Sequence, residues 1–134
     1  MPLPDALQSF LAQPNPSVIA TLTAGGEPHT AATWYLWDGD RVLVNMGATR
    51  KRLGHMRRDP HVSLTVLDKD EWYRQVTLRG RVTEIADDPE LEAIDRLSRH
   101  YTGQDYARRD QPRVSAWFQV DSWYGWHGGA PWSG

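Results

Sequence analysis

Residues 45–64 read NMGATRKRLGHMRRDPHVSL, and their order of residue types is that of a strand end, a short helix and a second strand. Asn45 and Met46 close an apolar run, and Gly47-Ala48 interrupts it. Thr49 to Arg58 predicts a short helix, with Thr49 as its N-cap. Leu53 and Met56, three apart, fall on its buried side. Asp59-Pro60 stops the helix. From His61 to Leu67 the pattern changes to period two, with Val62, Leu64 and Val66 alternating against Ser63 and Thr65.

The flanks carry more strand than helix. Leu3 to Leu11 predicts a short helix, ended by Pro14 and Pro16. Ser17 to Thr23 and His29 to Trp37 predict a hairpin around the turn Ala24-Gly25-Gly26-Glu27-Pro28. Asp38-Gly39-Asp40 turns the chain again, and Arg41 to Met46 follows as a third strand. Beyond residue 64, Asp68-Lys69-Asp70 leads to a long strand from Trp72 to Ile85, bent at Gly80. Asp88-Pro89 predicts the start of a helix, with Asp88 as N-cap. Leu91, Ile94, Leu97 and Tyr101 form its stripe, and Gly103 ends it. A polar loop from Gln104 to Pro112 precedes a last strand from Arg113 to Trp126. Six or seven mostly antiparallel strands with three short helices predict a mainly β protein, a closed or partly open barrel. One domain is expected over residues 1–126, with a flexible Gly-rich tail over 127–134.

Composition narrows the function. The 134 residues contain no cysteine, which excludes disulfides and thiolate metal sites. The net charge of −2 argues against a general nucleic-acid coat. No apolar run approaches the roughly 20 residues of a membrane span. With no signal-like N-terminus, the chain is expected to be cytoplasmic. Seven tryptophans are many for this length, enough for a core and for an interface or a planar ligand.

Charge is concentrated locally, because five of the 15 Lys and Arg residues fall between Arg50 and Arg58. A helix N-terminus carries partial positive charge, so Arg50-Lys51-Arg52 in a first turn is unfavourable unless an anion binds there. A phosphate would take backbone N–H groups and charge-assisted bonds from those side chains. A solvated basic face beside a glycine turn is the alternative of equal weight. Arg57 and Arg58 need no ligand, since cations at a helix C-terminus complement its dipole.

No P-loop, GxGxxG, GxSxG or His/carboxylate metal spacing occurs. Kinase, NTPase and triad-hydrolase chemistries are therefore not expected, nor is a metal centre. His29 is a candidate proton donor, with an exposed strand-end histidine as the plainer reading. No catalytic acid or base can be named from the sequence.

Residues 45–64 resemble the flavin/deazaflavin oxidoreductases, and more narrowly the F420-dependent branch related to pyridoxamine 5'-phosphate oxidase. Supporting segments are Gly26-Glu27-Pro28-His29 leading to Trp34-Tyr35, Thr77-Leu78-Arg79-Gly80-Arg81-Val82, and Ile94-Asp95-Arg96-Leu97. The resemblance runs over roughly residues 5–126.

It implies an FMN-binding type of split β-barrel, homodimeric, with cofactor sites at the subunit interface. It places Arg50 and Arg52, with Lys51 between them, on the cofactor phosphate. Thr33, Trp34 and Tyr35 would lie along the ring system, with Ser63 and Thr65 lining the same pocket. Trp126 of a partner would complete it. The implied activity is hydride transfer between reduced F420 and a small conjugated organic substrate. FMN is the alternative cofactor, and a non-catalytic flavin or tetrapyrrole carrier the alternative role. Ala32 stands where the family often has Pro, Gly54 where a basic residue is common, and His55 where Asn is common.

Overall fold

A computed structural model describes residues 3–127 and 129–132. Its elements in chain order are α1 (Asp5–Leu11), β1 (Ser17–Leu22), β2 (Pro28–Thr33), β3 (Leu36–Trp37), β4 (Arg41–Gly47), α2 (Lys51–Arg58), β5 (His61–Leu67), β6 (Gln75–Asp87), α3 (Glu92–Thr102), β7 (Arg113–His127) and β8 (Ala130–Pro131). The strands form one antiparallel sheet in the order β2-β1-β5-β6-β7-β4-β3, with β8 added to β7.

That order explains the barrel. Its two outermost strands, β2 and β3, are separated in the chain only by Trp34 and Tyr35. The three steps from Thr33 to Leu36 span at most about 11 Å. The sheet therefore has to curl until its edges meet, and the gap between β2 and β3 is the split.

Period-two alternation fills the interior. Ile19 of β1, Leu64 of β5, Val76 and Leu78 of β6 and Phe118 of β7 are buried together. Helix α1 adds Leu7, Phe10 and Leu11 to that cluster. Strand β4 is buried on both faces: Val42, Val44 and Met46 point into the barrel, and Leu43 packs outward with Ile94 and Leu97 of α3. At Gly80 the β6–β7 register shifts, as the expected bend requires. A Cβ there would lie 1.7 Å from the Gln119 carbonyl oxygen, so no side chain fits.

Several expectations are corrected. Arg50, in extended conformation, takes the N-cap place of α2 and not Thr49, and no side chain caps the helix. The predicted second strand is two strands, broken at the split. The long strand begins at Gln75, because Asp68 accepts from the backbone N–H groups of Asp70 and Glu71 and holds the hairpin turn open past Trp72.

Helix α3 begins at Glu92, after Leu91 in the left-handed region at φ 58°. Asp88 still serves the helix start, accepting from Ala93 N–H at 3.1 Å and Ile94 N–H at 3.0 Å. Gly103 ends α3 at φ 79°, as expected.

The described residues beyond 126 fold back on the barrel. Trp132 is 5% exposed, and its indole N–H donates to the Gln75 carbonyl at 2.9 Å. Gly128, Ser133 and Gly134 of the expected tail lie outside the described residues. Among the described residues no helix is long and apolar enough to cross a membrane, and no cluster of three metal-ligating side chains occurs.

Candidate functional site

A cleft of about 540 Å3 opens at the split, between β2, the start of α2, α3 and the start of β7. Ser17 pins its floor, because its hydroxyl donates to the Thr33 carbonyl at 2.6 Å. Trp34 leaves the barrel at the break after β2 and forms one wall. Its ring stacks on Tyr101 of α3, with centroids 5.3 Å apart and planes 13° from parallel. The Tyr101 hydroxyl donates to the Asn15 carbonyl at 2.7 Å and accepts from Tyr35 N–H at 3.3 Å. Burial raises the Tyr101 phenol far above its ordinary pKa, so it stays protonated, with its O–H directed at the Asn15 carbonyl. Tyr106 meets Trp34 edge-on at 6.2 Å, and Ile94 and Leu97 complete the apolar side.

The polar side is cationic. Arg52, in the first turn of α2, and Arg113, the first residue of β7, both line the cleft. Neither belongs to an ion pair among the described residues. The Arg52 Nε is buried with no hydrogen-bond partner among the described residues. Burial, then Arg50, then Arg113 lower the Arg52 pKa. A buried donor without an acceptor costs stability, so this one is positioned for an acceptor that the described residues do not supply. A phosphate or carboxylate on a planar ligand fits this donor set and this aromatic wall.

The structure divides the residues expected at the site. Thr33, Trp34 and Arg52 share the cleft. Arg50 and Lys51 are exposed beside it and do not line it. Tyr35 is not in the cleft. Alternation turns it inward, where it is fully buried and donates to the Leu11 carbonyl at 2.8 Å.

Ser63, Thr65 and Trp126 lie away from the cleft, toward the outer side of β5 and β7. Ser63 borders a separate hollow with Ala20 and Arg79. Thr65 shares a hydrogen bond with Thr77 at 2.9 Å. Trp126 is 48% exposed. Within one chain these three do not meet Arg52. Sequence reasoning missed Arg113, Tyr101 and Tyr106 as cleft residues. Only the pairing of β4 with β7, which sets Gly47 opposite Arg113, brings the polar loop's end beside the basic run.

His29 and His55 face each other edge-on at 5.1 Å, and His55 Nδ1 is 2.9 Å from the Thr21 hydroxyl. Neither histidine lines the cleft.

The sequence model of the pyridoxamine 5'-phosphate oxidase family matches residues 3–127. The chain belongs to that family. Among solved structures, an F420 reductase is similar at 26% identity and a TM-score of 0.83, over 90% of this chain and 98% of its own. A conserved hypothetical protein of Mycobacterium tuberculosis shares the fold at 23% identity and a TM-score of 0.73, over 98% and 85% of the two chains. So does a putative pyridoxamine 5'-phosphate oxidase of Listeria innocua, at 20% identity and a TM-score of 0.68, over 89% and 94%. No curated protein matches the sequence. Membership in the pyridoxamine 5'-phosphate oxidase family, with its split-barrel fold, points to a flavin-type oxidoreductase.

Proposed function

We propose that this pyridoxamine 5'-phosphate oxidase family member is an F420-dependent oxidoreductase acting on a small conjugated organic substrate. The observation that carries the reading is Arg52, whose buried Nε lacks an acceptor in a cleft walled by the Trp34–Tyr101 stack. The similarity to an F420 reductase supports the choice of deazaflavin over FMN.

Hydride transfer is the chemistry that a deazaflavin supplies when bound. The chain's residues bind, orient and exclude water. Arg52 would hold the cofactor phosphate, and Arg50 and Lys51, exposed beside the cleft, would meet a polyanionic tail. Trp34 and Thr33 would orient the ring system, with Ile94 and Leu97 giving the apolar side of the cleft. The Tyr35 and Tyr101 hydroxyls direct their protons at the Leu11 and Asn15 carbonyls, so solvent water would deliver the accompanying proton.

A second copy of the chain would bring Ser63, Thr65 and Trp126 toward the cleft from across a homodimer interface. Val18, Tyr124 and Trp126 are exposed apolar surface that such a contact would cover.

Titration of purified protein with F420, followed by fluorescence polarisation, tests the cofactor, and sedimentation velocity tests the dimer. Micromolar F420 binding with reduction of an enone or quinone acceptor is the expected result. Co-purification of yellow FMN with no F420 binding overturns the deazaflavin assignment. Absence of binding by either cofactor overturns the oxidoreductase reading.

A further inference from the structure

We propose that Arg113 is a second anion-binding residue of the cleft, held in place for a ligand oxyanion by Asn45 and Asp88. The proposal rests on the cleft being the ligand site argued above.

The argument starts at Asp88. Its two carboxylate oxygens accept from the Ala93 and Ile94 N–H groups, and Oδ2 also accepts from Asn45 Nδ2 at 3.1 Å. The Asn45 amide donates again to the Ser115 hydroxyl at 3.0 Å. Both donor bonds fix which way the buried amide points, because a flipped amide would set its oxygen against the Asp88 carboxylate. Its carbonyl oxygen is thereby turned to Arg113, from whose Nε it accepts at 2.8 Å.

The Tyr106 ring lies 4.7 Å below the guanidinium, and the Tyr106 hydroxyl accepts from Nη1 at 3.3 Å. Of the five N–H donors of a guanidinium, these contacts use two. The others have no partner among the described residues.

Asn45 therefore orients Arg113 without neutralising it. A carboxylate at position 45 would do both. The negative charge nearest in this chain of contacts, on Asp88, is spent on the start of α3 and on the amide. Arg113 also shares the cleft with Arg52, so two like charges, unpaired among the described residues, face one open cleft. A bound oxyanion relieves that repulsion and engages the free donors of both. The anionic group is either the phosphate of the flavin-type cofactor or a carboxylate on the second ligand.

A purely structural role, bracing Asn45 against Tyr106, predicts a lower melting temperature and nothing else. The test compares ligands that differ only in the anion: FMN against riboflavin, and F420 against its core lacking the phosphate-bearing tail. These are titrated by polarisation into wild type, Arg113→Ala and Asn45→Ala. If Arg113 binds the cofactor phosphate, Arg113→Ala lowers the preference for the phosphorylated ligand about 10- to 100-fold and leaves riboflavin affinity unchanged.

If the oxyanion belongs to the second ligand, that preference survives, and benzoate binding to cofactor-loaded protein falls by the same factor. Folded Arg113→Ala protein that is unaltered in both respects overturns the proposal. Asn45→Ala should reproduce part of the loss in wild type and add none in the Arg113→Ala background. An equal effect in both backgrounds refutes its positioning role. If wild type binds no flavin at all, the function proposed above fails separately. Inorganic pyrophosphate binding by wild type against Arg113→Ala then decides whether Arg113 is an anion site.

Discussion

Trp34 and Tyr101 lie face to face, 5.3 Å between centroids, and so tie the gap in the barrel to helix α3. Stacking of this kind contributes about 0.5–1.5 kcal/mol beyond area burial. Because Trp34 is only half-buried, Trp34→Ala should cost about 2 kcal/mol of folding stability by urea denaturation. It should weaken cofactor binding about tenfold or more, since the wall is lost as well as the stack. Trp34→Phe should recover most of both. Unchanged affinity in Trp34→Ala would remove the ring-orienting role.

Arg52 carries an opposite signature. It has no hydrogen-bond or ion-pair partner among the described residues, and burial with Arg50 and Arg113 disfavours its charge. Arg52→Met keeps the stem's packing and removes that penalty. The expected result is an unchanged or higher melting temperature together with a loss of about 1.5–3 kcal/mol in cofactor binding. Arg50→Ala and Lys51→Ala, at exposed positions outside the cleft, should each cost less. A marked drop in stability for Arg52→Met would mean that Arg52 is structural.

This contrast shows what the sequence could and could not make legible. The basic run, the strand alternation of β5 and the glycine stop of α3 are local patterns, and each was readable from neighbouring residues. Family resemblance supplied the split barrel. The different placements of Arg50, Lys51 and Arg52 were not readable, because they depend on where α2 begins. Arg50 occupies the cap position, and Arg52 turns into the cleft. Arg113 and Tyr106 were not readable at all. Their roles arise from the β4–β7 register and from a loop tied down by a distant aspartate. Tyr35 was misplaced by one step of alternation, which at a strand break exchanges the two faces.

That distant aspartate gives a pH prediction. Asp95 accepts from Arg109 through both carboxylate oxygens, at 2.9 and 3.1 Å, and from Tyr106 N–H at 2.9 Å. The Arg109 hydrogen bond is the largest cause holding its pKa below the ordinary carboxylate value. A group depressed on folding contributes stability that is complete above its unfolded pKa, about 4. That contribution disappears as pH falls through the lower native value. Asp95→Asn should therefore lower the melting temperature at pH 7. Its disadvantage should shrink below pH 4, until the two proteins converge. The same loop carries Tyr106, so the variant should also loosen the cleft and weaken ligand binding. A constant difference in melting temperature from pH 7 to pH 2.5 would contradict the ion-pair explanation.

The last prediction concerns Trp132, which lies beyond the expected end of the domain. Its ring stacks on His127 at 4.5 Å and meets Phe10 of α1 at 5.3 Å, while the Arg74 guanidinium lies over both the Phe10 and Trp132 rings. The adjoining glycine makes this possible. A Cβ on Gly125 would lie 2.1 Å from the Gln75 carbonyl oxygen, the same oxygen that accepts from the Trp132 indole. Trp132 thus ties the end of β7 to α1 and to the start of β6. Truncation of a buried tryptophan costs about 3–5 kcal/mol. Trp132→Ala should lose about 3 kcal/mol by urea denaturation, and removal of residues 130–134 at least as much. Cofactor affinity of folded Trp132→Ala should fall far less than that of Trp34→Ala, because Trp132 does not line the cleft; the truncation also removes the β8 partner of Trp126 and should weaken the dimer-completed site. Full stability after the truncation would mean that the domain ends at Trp126 after all.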